Sequence, residues 1–158
     1  MTMEKRFVEI FTGLKRDYGY ADPQSAYKDP STGKLKIEHF WAKKPVTEQD
    51  YENHLKGVEP TLGIIPINDN NQCIWGCIDV DSYAGFDHKK LLSKIKVLNL
   101  PLVVCRSKSG GAHIFLFSQK FIEAKIMRDK LLEIRAILGF ANAEVFQKQI
   151  ELKSEEDT

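Results

Sequence analysis

The sequence predicts an α+β fold built around a split β-α-β-β-α-β sheet, of the ferredoxin-like or RRM-like type, preceded by an N-terminal α/β extension. From residue 73 onward, short apolar runs alternate with segments of helical periodicity in that order. The 158 residues, with 42% hydrophobic content, are enough to bury the core of one compact domain. We therefore expect a single domain, 1–158, with an N-terminal helical and irregular part at 1–60 and the sheet core at 61–152.

The N-terminal part begins with a predicted amphipathic helix. Four apolar residues recur there at helical spacing: Phe7, Ile10, Phe11 and Leu14. This spacing predicts a helix over residues 4–18 that Gly19 ends. Residues 20–44 are rich in turn signals, and only short extended pieces such as 35–40 are expected between the turns.

A second helix is predicted just before the sheet core. Thr47 and Asp50 have the spacing of a capping box, with Asp in place of the usual Glu. The helix should run through Leu55, and Gly57 is placed to stop it.

The core elements follow from periodicity. We expect a lead-in strand at 61–67, a strand at 73–80, a helix at 87–98, strands at 101–106 and 111–117, a helix at 121–138 and a strand at 142–147. Each helix has one apolar face, made by Leu91, Ile95 and Leu98 in the first and by Met127, Leu131, Ile134 and Leu138 in the second. Both should cover one side of the sheet, which leaves the other side open for chemistry or for a polymer.

Composition excludes several classes of protein. The net charge of +1 provides no overall basic field, so any groove for nucleic acid must be local. The three cysteines, Cys73, Cys77 and Cys105, form neither a CxxC pair nor an even disulfide framework, and we interpret them as reduced core residues. The sequence contains neither a signal peptide nor a membrane-spanning run, so we expect a cytoplasmic protein that does not contact membranes.

Two acids are predicted to share one face of the strand at 73–80. Strand alternation puts Asp79 and Asp81 with Trp75 and Cys77, and puts the apolar residues on the other face. The two acids would lie about 7 Å apart at Cα. Like charges so close are tolerated when a divalent cation lies between them, and carboxylates suit Mg²⁺ or Mn²⁺. The same residues are also ordinary for a strand that ends in a turn.

A serine- and glycine-rich turn joins the strands at 101–106 and 111–117. In RSKSGGAH, residues 106–113, paired glycines let the backbone N–H groups approach an anion, while Arg, Lys and Ser provide charge and donors. This is the chemistry of a phosphate-binding loop, although Gly-Gly is also a common hairpin turn. His113 begins the next strand, where it is either a ligand or a hydrogen-bonded structural residue. Phe115 and Phe117 follow on the same face, opposite Ile114 and Leu116.

A third acid, Glu144, lies in the last predicted strand. It joins the other two only if that strand runs beside the one carrying Asp79 and Asp81. The alternative is a solvated glutamate at a sheet edge.

Together the segments IDVD (78–81), RSKSGGAH (106–113) and AEVFQKQ (143–149) resemble, in order and spacing, the three motifs of archaeo-eukaryotic primases. The likeness spans residues 7–152 and points to the primase-polymerases of phages and mobile elements, including the primase domain of TOTE conflict systems. It implies template-directed nucleotidyl transfer from nucleoside or deoxynucleoside triphosphates by a two-metal mechanism, in DNA replication, priming or repair.

The resemblance also implies roles for particular residues. Asp79, Asp81 and Glu144 would be the catalytic acids and would hold two Mg²⁺ or Mn²⁺ ions. The triphosphate would be held by Arg106, Ser107, Lys108, Ser109, Gly110 and His113. Lys148 and Gln149 are the expected template or primer contacts. The implied partners are a nucleotide and a single-stranded DNA template with its primer, in a bacterium or a phage-infected host cell.

The sequence departs from the family pattern in two ways. Gln147 stands where relatives usually have proline, which predicts a looser chain after the third acid. Relatives continue beyond this block, so the chain is expected to be truncated at its C-terminus and to lack appended domains such as a replicative helicase.

Three alternatives to a polymerase remain open at this point. The first is a non-catalytic, RRM-like module that binds single-stranded nucleic acid, with Trp75, Phe115 and Phe117 as stacking platforms. The second is a metal-dependent nuclease that uses the same acids. The third is a degenerate primase relative that acts as a regulator.

Overall fold

A computed structural model of the chain describes residues 2–31, 35–81, 85–107 and 110–152, with the side chain of Leu35 left out. The helices in these ranges are α1 (Met3–Ile10), α2 (Glu48–Leu55), α3 (His88–Val97) and α4 (Ala124–Leu138), with one short 3₁₀ turn at Pro23–Ser25. The strands are β1 (Tyr18–Ala21), β2 (Tyr27–Lys28), β3 (Leu35–Lys36), β4 (His39–Ala42), β5 (Thr61–Gly63), β6 (Gln72–Val80), β7 (Leu102–Arg106), β8 (Ala112–Glu123) and β9 (Glu144–Phe146). The fold class is α+β, as predicted.

The large sheet has the predicted split topology. Its strand order is β7-β8-β6-β9, and each neighbouring pair is antiparallel. The strand before α3 is therefore central, and the last strand lies beside it at the edge, which is the arrangement expected of a β-α-β-β-α-β unit. This order brings the segment with Asp79 next to the segment with Glu144.

The main core lies between this sheet and the helices α3 and α4. Buried residues of α4 fall at the predicted positions, namely Met127, Leu131, Ile134 and Leu138. In α3, Leu91 and Ile95 are buried, but Leu98 caps the helix and is 41% exposed. Gly76 allows close approach, because a Cβ there would lie 2.6 Å from a methyl carbon of Leu131. The other face of the sheet is therefore the one available for a site.

Two element boundaries in the core differ from the prediction. β8 extends to Glu123, so residues 121–123 are strand and α4 begins only at Ala124. A register shift lies between Cys73 and Trp75, and Cys73 is in the main core, as predicted.

The predicted first helix is wrong beyond Ile10. The chain leaves α1 there, and the Leu14 amide donates to the Ile65 carbonyl at 2.9 Å. Gly13 permits this crossing, because a Cβ at that position would lie 1.9 Å from the Ile65 oxygen. Leu14 is buried as expected, but by a loop rather than by a helix. Gly19 lies within β1 and does not end a helix.

The segment predicted to be irregular contributes most of a second sheet. β1 pairs with β4 on one side and β5 on the other, all antiparallel, and β2 and β3 form a separate hairpin. The predicted lead-in strand is thus only three residues long and belongs to this N-terminal sheet rather than to the core sheet.

The second helix matches its prediction. Thr47 caps α2, and the Asp50 carboxylate accepts from the Thr47 amide at 2.8 Å to complete the capping box. Gly57 follows with φ of +69°, a conformation that glycine adopts without strain. None of the helices in the described ranges has the length and apolar character needed to cross a bilayer.

Candidate active site

A row of four reactive side chains crosses the face of the large sheet that α3 and α4 do not cover. In order across β7, β8, β6 and β9, the row contains Cys105, His113, Asp79 and Glu144. Directly paired residues on antiparallel strands have Cβ atoms about 5 Å apart on the same face. Ile78, the strand neighbour of Asp79, is fully buried in the helix-side core, so the row points away from the helices.

Asp79 and His113 form the centre of the row. His113 Nε2 lies 3.4 Å from Asp79 Oδ1, an ion-pair distance that is long for a hydrogen bond. The pKa of His113 is raised, first by its polar contact with the Asp79 carboxylate and then by the charges of Asp79 and Asp81, while burial opposes the rise. Asp79 Oδ1 is buried and has no hydrogen-bond partner among the described residues. A buried carboxylate oxygen in this state favours a nearby cation.

Glu144 completes the acid pair beside Asp79. Its side chain is 63% exposed, and its Oε2 lies 3.2 Å from the ammonium of Lys148. Lys148 also lies over the ring of Phe146, 4.8 Å from the centroid. Lys148 therefore compensates part of the acidic charge, although the resemblance had suggested a template or primer contact. The carbonyl of Lys148 accepts from the Arg128 guanidinium at 2.8 Å, which ties this segment to α4.

The remaining predicted acid, Asp81, lies one residue past the end of β6 and is exposed. Its charge reaches His113, whose pKa it helps to raise after the larger effects of Asp79. Within residues 2–31, 35–81, 85–107 and 110–152, no three Asp, Glu, His or Cys side chains are arranged to hold a metal ion. The structure thus pairs Asp79 with Glu144 and leaves Asp81 near them, without assembling the three acids into one cluster.

The serine- and glycine-rich turn joins β7 to β8 beside this row. Ser107 is buried and its amide donates to the Gly111 carbonyl at 3.1 Å, while the Gly110 amide donates back to Ser107 at the same distance. Gly110 has φ of +90°, which a residue with a Cβ rarely adopts. Arg106 is exposed at the end of β7. Lys108 and Ser109, predicted triphosphate ligands, lie outside the described residues.

His88 holds this turn, which the sequence analysis did not anticipate. Its Nε2 lies 2.9 Å from the Gly111 carbonyl oxygen, and its ring meets Phe86 edge-on at 4.9 Å. Val80 at the end of β6 pairs with Ala112 at the start of β8, so residues 85–88 and the turn before β8 lie at the same end of the sheet. That shared end was the signal in the predicted topology from which such a contact could have been found.

Aromatic side chains from the N-terminal segment cover the other half of this sheet face. The Phe11 ring meets Trp75, Phe115 and Phe117 edge-on, at centroid distances of 5.3, 5.5 and 5.6 Å. The Trp75 indole N–H donates to the Thr12 carbonyl at 2.8 Å, and Trp75 is only 7% exposed. The expectation of a fully open face is therefore wrong. This cover also argues against these rings as stacking platforms of an RRM-like module.

A cleft of about 690 Å³ begins at Glu144 and runs between the N-terminal sheet and the segment after β9. The sheet wall includes Gly19, Ala21, Trp41 and Gly63, and the opposite wall includes Phe146 and Lys148. Sequence reasoning missed this cleft, because it treated residues 20–44 as irregular. The available signal was FWAKK at 40–44, in which aromatic and basic residues adjoin.

Gln147, which the sequence predicted to loosen the chain after the third acid, is buried. It is 1% exposed, and its side-chain amide donates to the Gln149 carbonyl two residues later. Its Oε1 is buried without a hydrogen-bond partner among the described residues. The side chain of Gln147 therefore stabilises the segment after Glu144 through this local hydrogen bond to Gln149.

The cysteines divide into two groups. Cys73 and Cys77 are buried, and burial raises the pKa of Cys73 to about 11. Burial, followed by the nearby charge of Asp79, raises the pKa of Cys77 to about 12. Both therefore remain protonated thiols near neutral pH. Cys105 is exposed in the row beside His113, so its assignment to the core was wrong.

Comparison with known families agrees with this geometry. Residues 15–152 match the model of the archaeo-eukaryotic primase domain of the TOTE conflict system. The match includes every strand of both sheets and leaves out α1. A search of curated proteins gave no match. Since the matched region is most of the chain and contains all three sequence motifs, the chain belongs to the archaeo-eukaryotic primase domain family of TOTE conflict systems.

Proposed function

We propose that this domain catalyses template-directed nucleotidyl transfer, adding nucleotides from a nucleoside triphosphate to a primer on single-stranded DNA. The observation that supports this most directly is the pairing of Asp79 with Glu144 on the sheet face opposite α3 and α4, with His113 alongside. Membership of a primase family supports nucleotide and nucleic-acid substrates in general. In this proposal the chemistry takes place at the acid row.

The acids fit the divalent ions that such a reaction uses. Asp79 supplies a buried oxygen without a hydrogen-bond partner among the described residues, and Asp81 and Glu144 are exposed carboxylates nearby. All three are hard oxygen donors, which Mg²⁺ and Mn²⁺ prefer. In this proposal Asp79, Asp81 and Glu144 hold two such ions. When bound, the ions lower the pKa of the attacking hydroxyl and offset negative charge in the transition state.

The turn before β8 and His113 hold the nucleotide in this proposal. Nε2 of His113 lies 3.4 Å from Asp79 Oδ1, and its other ring nitrogen, Nδ1, is placed to donate to a phosphate oxygen. Arg106 adds an exposed guanidinium beside the turn. His88 contacts the Gly111 carbonyl and so keeps the turn in place beside the acids.

The proposed reaction balances without another reactant. The primer 3′-oxygen forms a bond to the α-phosphorus while the bond from that phosphorus to the bridging oxygen breaks. Pyrophosphate leaves with the electron pair, and the hydroxyl proton passes to solvent. The role of the chain is to align the two oxygens, because positioning and charge stabilisation supply most of the rate in phosphoryl transfer.

Primer extension by the purified protein tests this proposal. Asp79→Asn and Glu144→Gln remove one charge each, and each should lower extension on the order of 100-fold, the scale seen when one preorganised electrostatic partner is lost. Asp129→Asn and Glu133→Gln are matched controls on the exposed side of α4 and should extend primers like the parent. Calorimetric titration with Mn²⁺ should show weaker binding to the two site variants. Full extension by Asp79→Asn would remove the row from the mechanism.

A further inference from the structure

The part of the sheet wall formed by Gly19, Ala21 and Gly63, which is the floor of the cleft beside Glu144, carries no side chain larger than a methyl group. Gly19 on β1 pairs with Gly63 on β5, and a Cβ at Gly63 would lie 3.3 Å from the Gly19 carbonyl oxygen. Ala21 pairs with Thr61 two residues further on the same face. Nothing larger than a methyl group projects from β1 there, so a flat molecule has room beside the Trp41 ring.

Trp41 forms one side of the cleft and presents an exposed ring. It pairs with Gly19, and a Cβ on that glycine would lie 3.5 Å from the indole Cζ3, so the ring leans over the bare floor. Trp41 is 56% exposed, in contrast to the buried Trp75. Its neighbour Phe40 stacks on Tyr20 on the opposite sheet face, at 5.4 Å and 24°. That contact anchors the strand which carries Trp41.

Positive charge lies next to this surface, at the end of β4. Lys43 and Lys44 follow Trp41 there and both are exposed. Lys43 comes two residues after Trp41, while the depression that both lysines line with Tyr18 lies on the Tyr20 side of the sheet. At the inner end Glu144 borders the cleft, and Lys148 beside it offsets its charge. Phosphates are therefore favoured near the lysines at the outer end, and an uncharged flat ring is favoured between the two ends.

We propose that this cleft receives an unpaired base of a single nucleic-acid strand, stacked on Trp41, while Lys43 and Lys44 contact the strand's phosphates. The combination of an aromatic platform and a basic track is how proteins hold single strands without reading their sequence. The identification of this strand as the template rests on the proposed function, because the cleft ends at the proposed catalytic acid Glu144.

Binding of a fluorescent oligothymidylate, followed by anisotropy in the presence of EDTA and without nucleotide, tests the proposal separately from catalysis. Trp41→Ala should weaken binding about 5-fold to 100-fold, the range for loss of one stacking partner. Trp41→Phe, which keeps a flat ring, should restore most of the affinity. Phe121→Ala removes an aromatic residue of similar exposure on β8, outside the cleft, and should bind like the parent.

Salt dependence separates stacking from phosphate contact. Replacing both Lys43 and Lys44 by Ala should flatten the slope of log affinity against log salt by about 1.4, because each phosphate contact to a single strand contributes about 0.7. Trp41→Ala should lower affinity while leaving that slope unchanged. A flatter slope in Trp41→Ala would mean that its effect is electrostatic, which overturns the stacking role.

The remaining outcomes distinguish this proposal from the proposed function. Normal strand binding by Trp41→Ala overturns the cleft assignment, even if the parent extends primers. Loss of nucleoside triphosphate binding in Trp41→Ala, with strand binding intact, assigns the cleft to the nucleotide and also overturns it. Strand binding that depends on Trp41, together with full extension by Asp79→Asn, supports the cleft and overturns only the proposed catalytic row.

Discussion

Gly76 offers a direct test of which way β6 faces, and the position of the catalytic row depends on that. It lies three residues before Asp79, on the helix side of the strand. A Cβ at this position would lie 2.6 Å from Leu131 Cδ1, 3.1 Å from Met127 Cγ and 3.2 Å from the Phe146 carbonyl oxygen. Gly76→Ala therefore pushes one methyl group into the contact between β6 and α4.

The expected loss of stability follows from those distances. Leu131 and Met127 are 0% and 1% exposed, so neither side chain can move into solvent to make room. Overpacking a buried site by a methyl group costs about 1–3 kcal/mol. The lower entropy of the unfolded alanine chain offsets about 0.4–1 kcal/mol of this. We expect a net loss of about 1–2 kcal/mol, which lowers Tm by about 2–8 °C for a chain of this size.

Thermal unfolding of Gly76→Ala beside the parent measures this loss. Gly19→Ala is the matched control, because it makes the same change in a strand where the nearest atom lies at an ordinary 3.5 Å. The control should unfold at the parent temperature or slightly above it. A Gly76→Ala protein as stable as the parent would mean that this face of β6 does not meet α4. Asp79 would then not point to the uncovered side, and the site would have to be rebuilt.

Two further predictions concern the turn and the N-terminal helices. His88→Ala should raise KM for the nucleotide about 3-fold to 10-fold with a smaller change in kcat, since one contact to the Gly111 carbonyl is lost. His88→Gln should restore the parent KM. An unchanged KM in His88→Ala would mean that the turn is held without His88. Burial lowers the pKa of His54, whose Nδ1 accepts from the Leu62 amide. The stability that the neutral ring contributes is therefore fully present above the ordinary histidine pKa of 6.5, and it is lost as pH falls through the lowered pKa of the folded protein. The parent's advantage over His54→Asn in urea unfolding should therefore shrink from pH 8 to pH 5, and a constant difference would contradict this.

Local sequence patterns were sufficient to predict most of the core sheet. The apolar spacing in 124–138 identified the buried face of α4. Strand alternation predicted that the Asp79 side chain lies on the opposite sheet face from Ile78 and Val80. The capping box at Thr47 and Asp50 marked the start of α2. These features were readable because a helix repeats every 3.6 residues and a strand every two, so a few neighbouring residues carry the signal. The pairing of Asp79 with Glu144 followed once the usual strand order of this topology was assumed.

The sequence by itself thus determined the fold class, the family motifs and the face on which the acids lie, whereas only the tertiary structure decided what surrounds them. Leu14 left its predicted helix because Gly13 lets the chain cross the Ile65 carbonyl, a contact between residues far apart in sequence. The cover of Phe11 over Trp75 and the cleft beside Trp41 depend on how the N-terminal segment folds back on the sheet. Local sequence patterns do not predict these contacts, because the contacts form between segments that are far apart in the sequence and are brought together only when the whole chain folds.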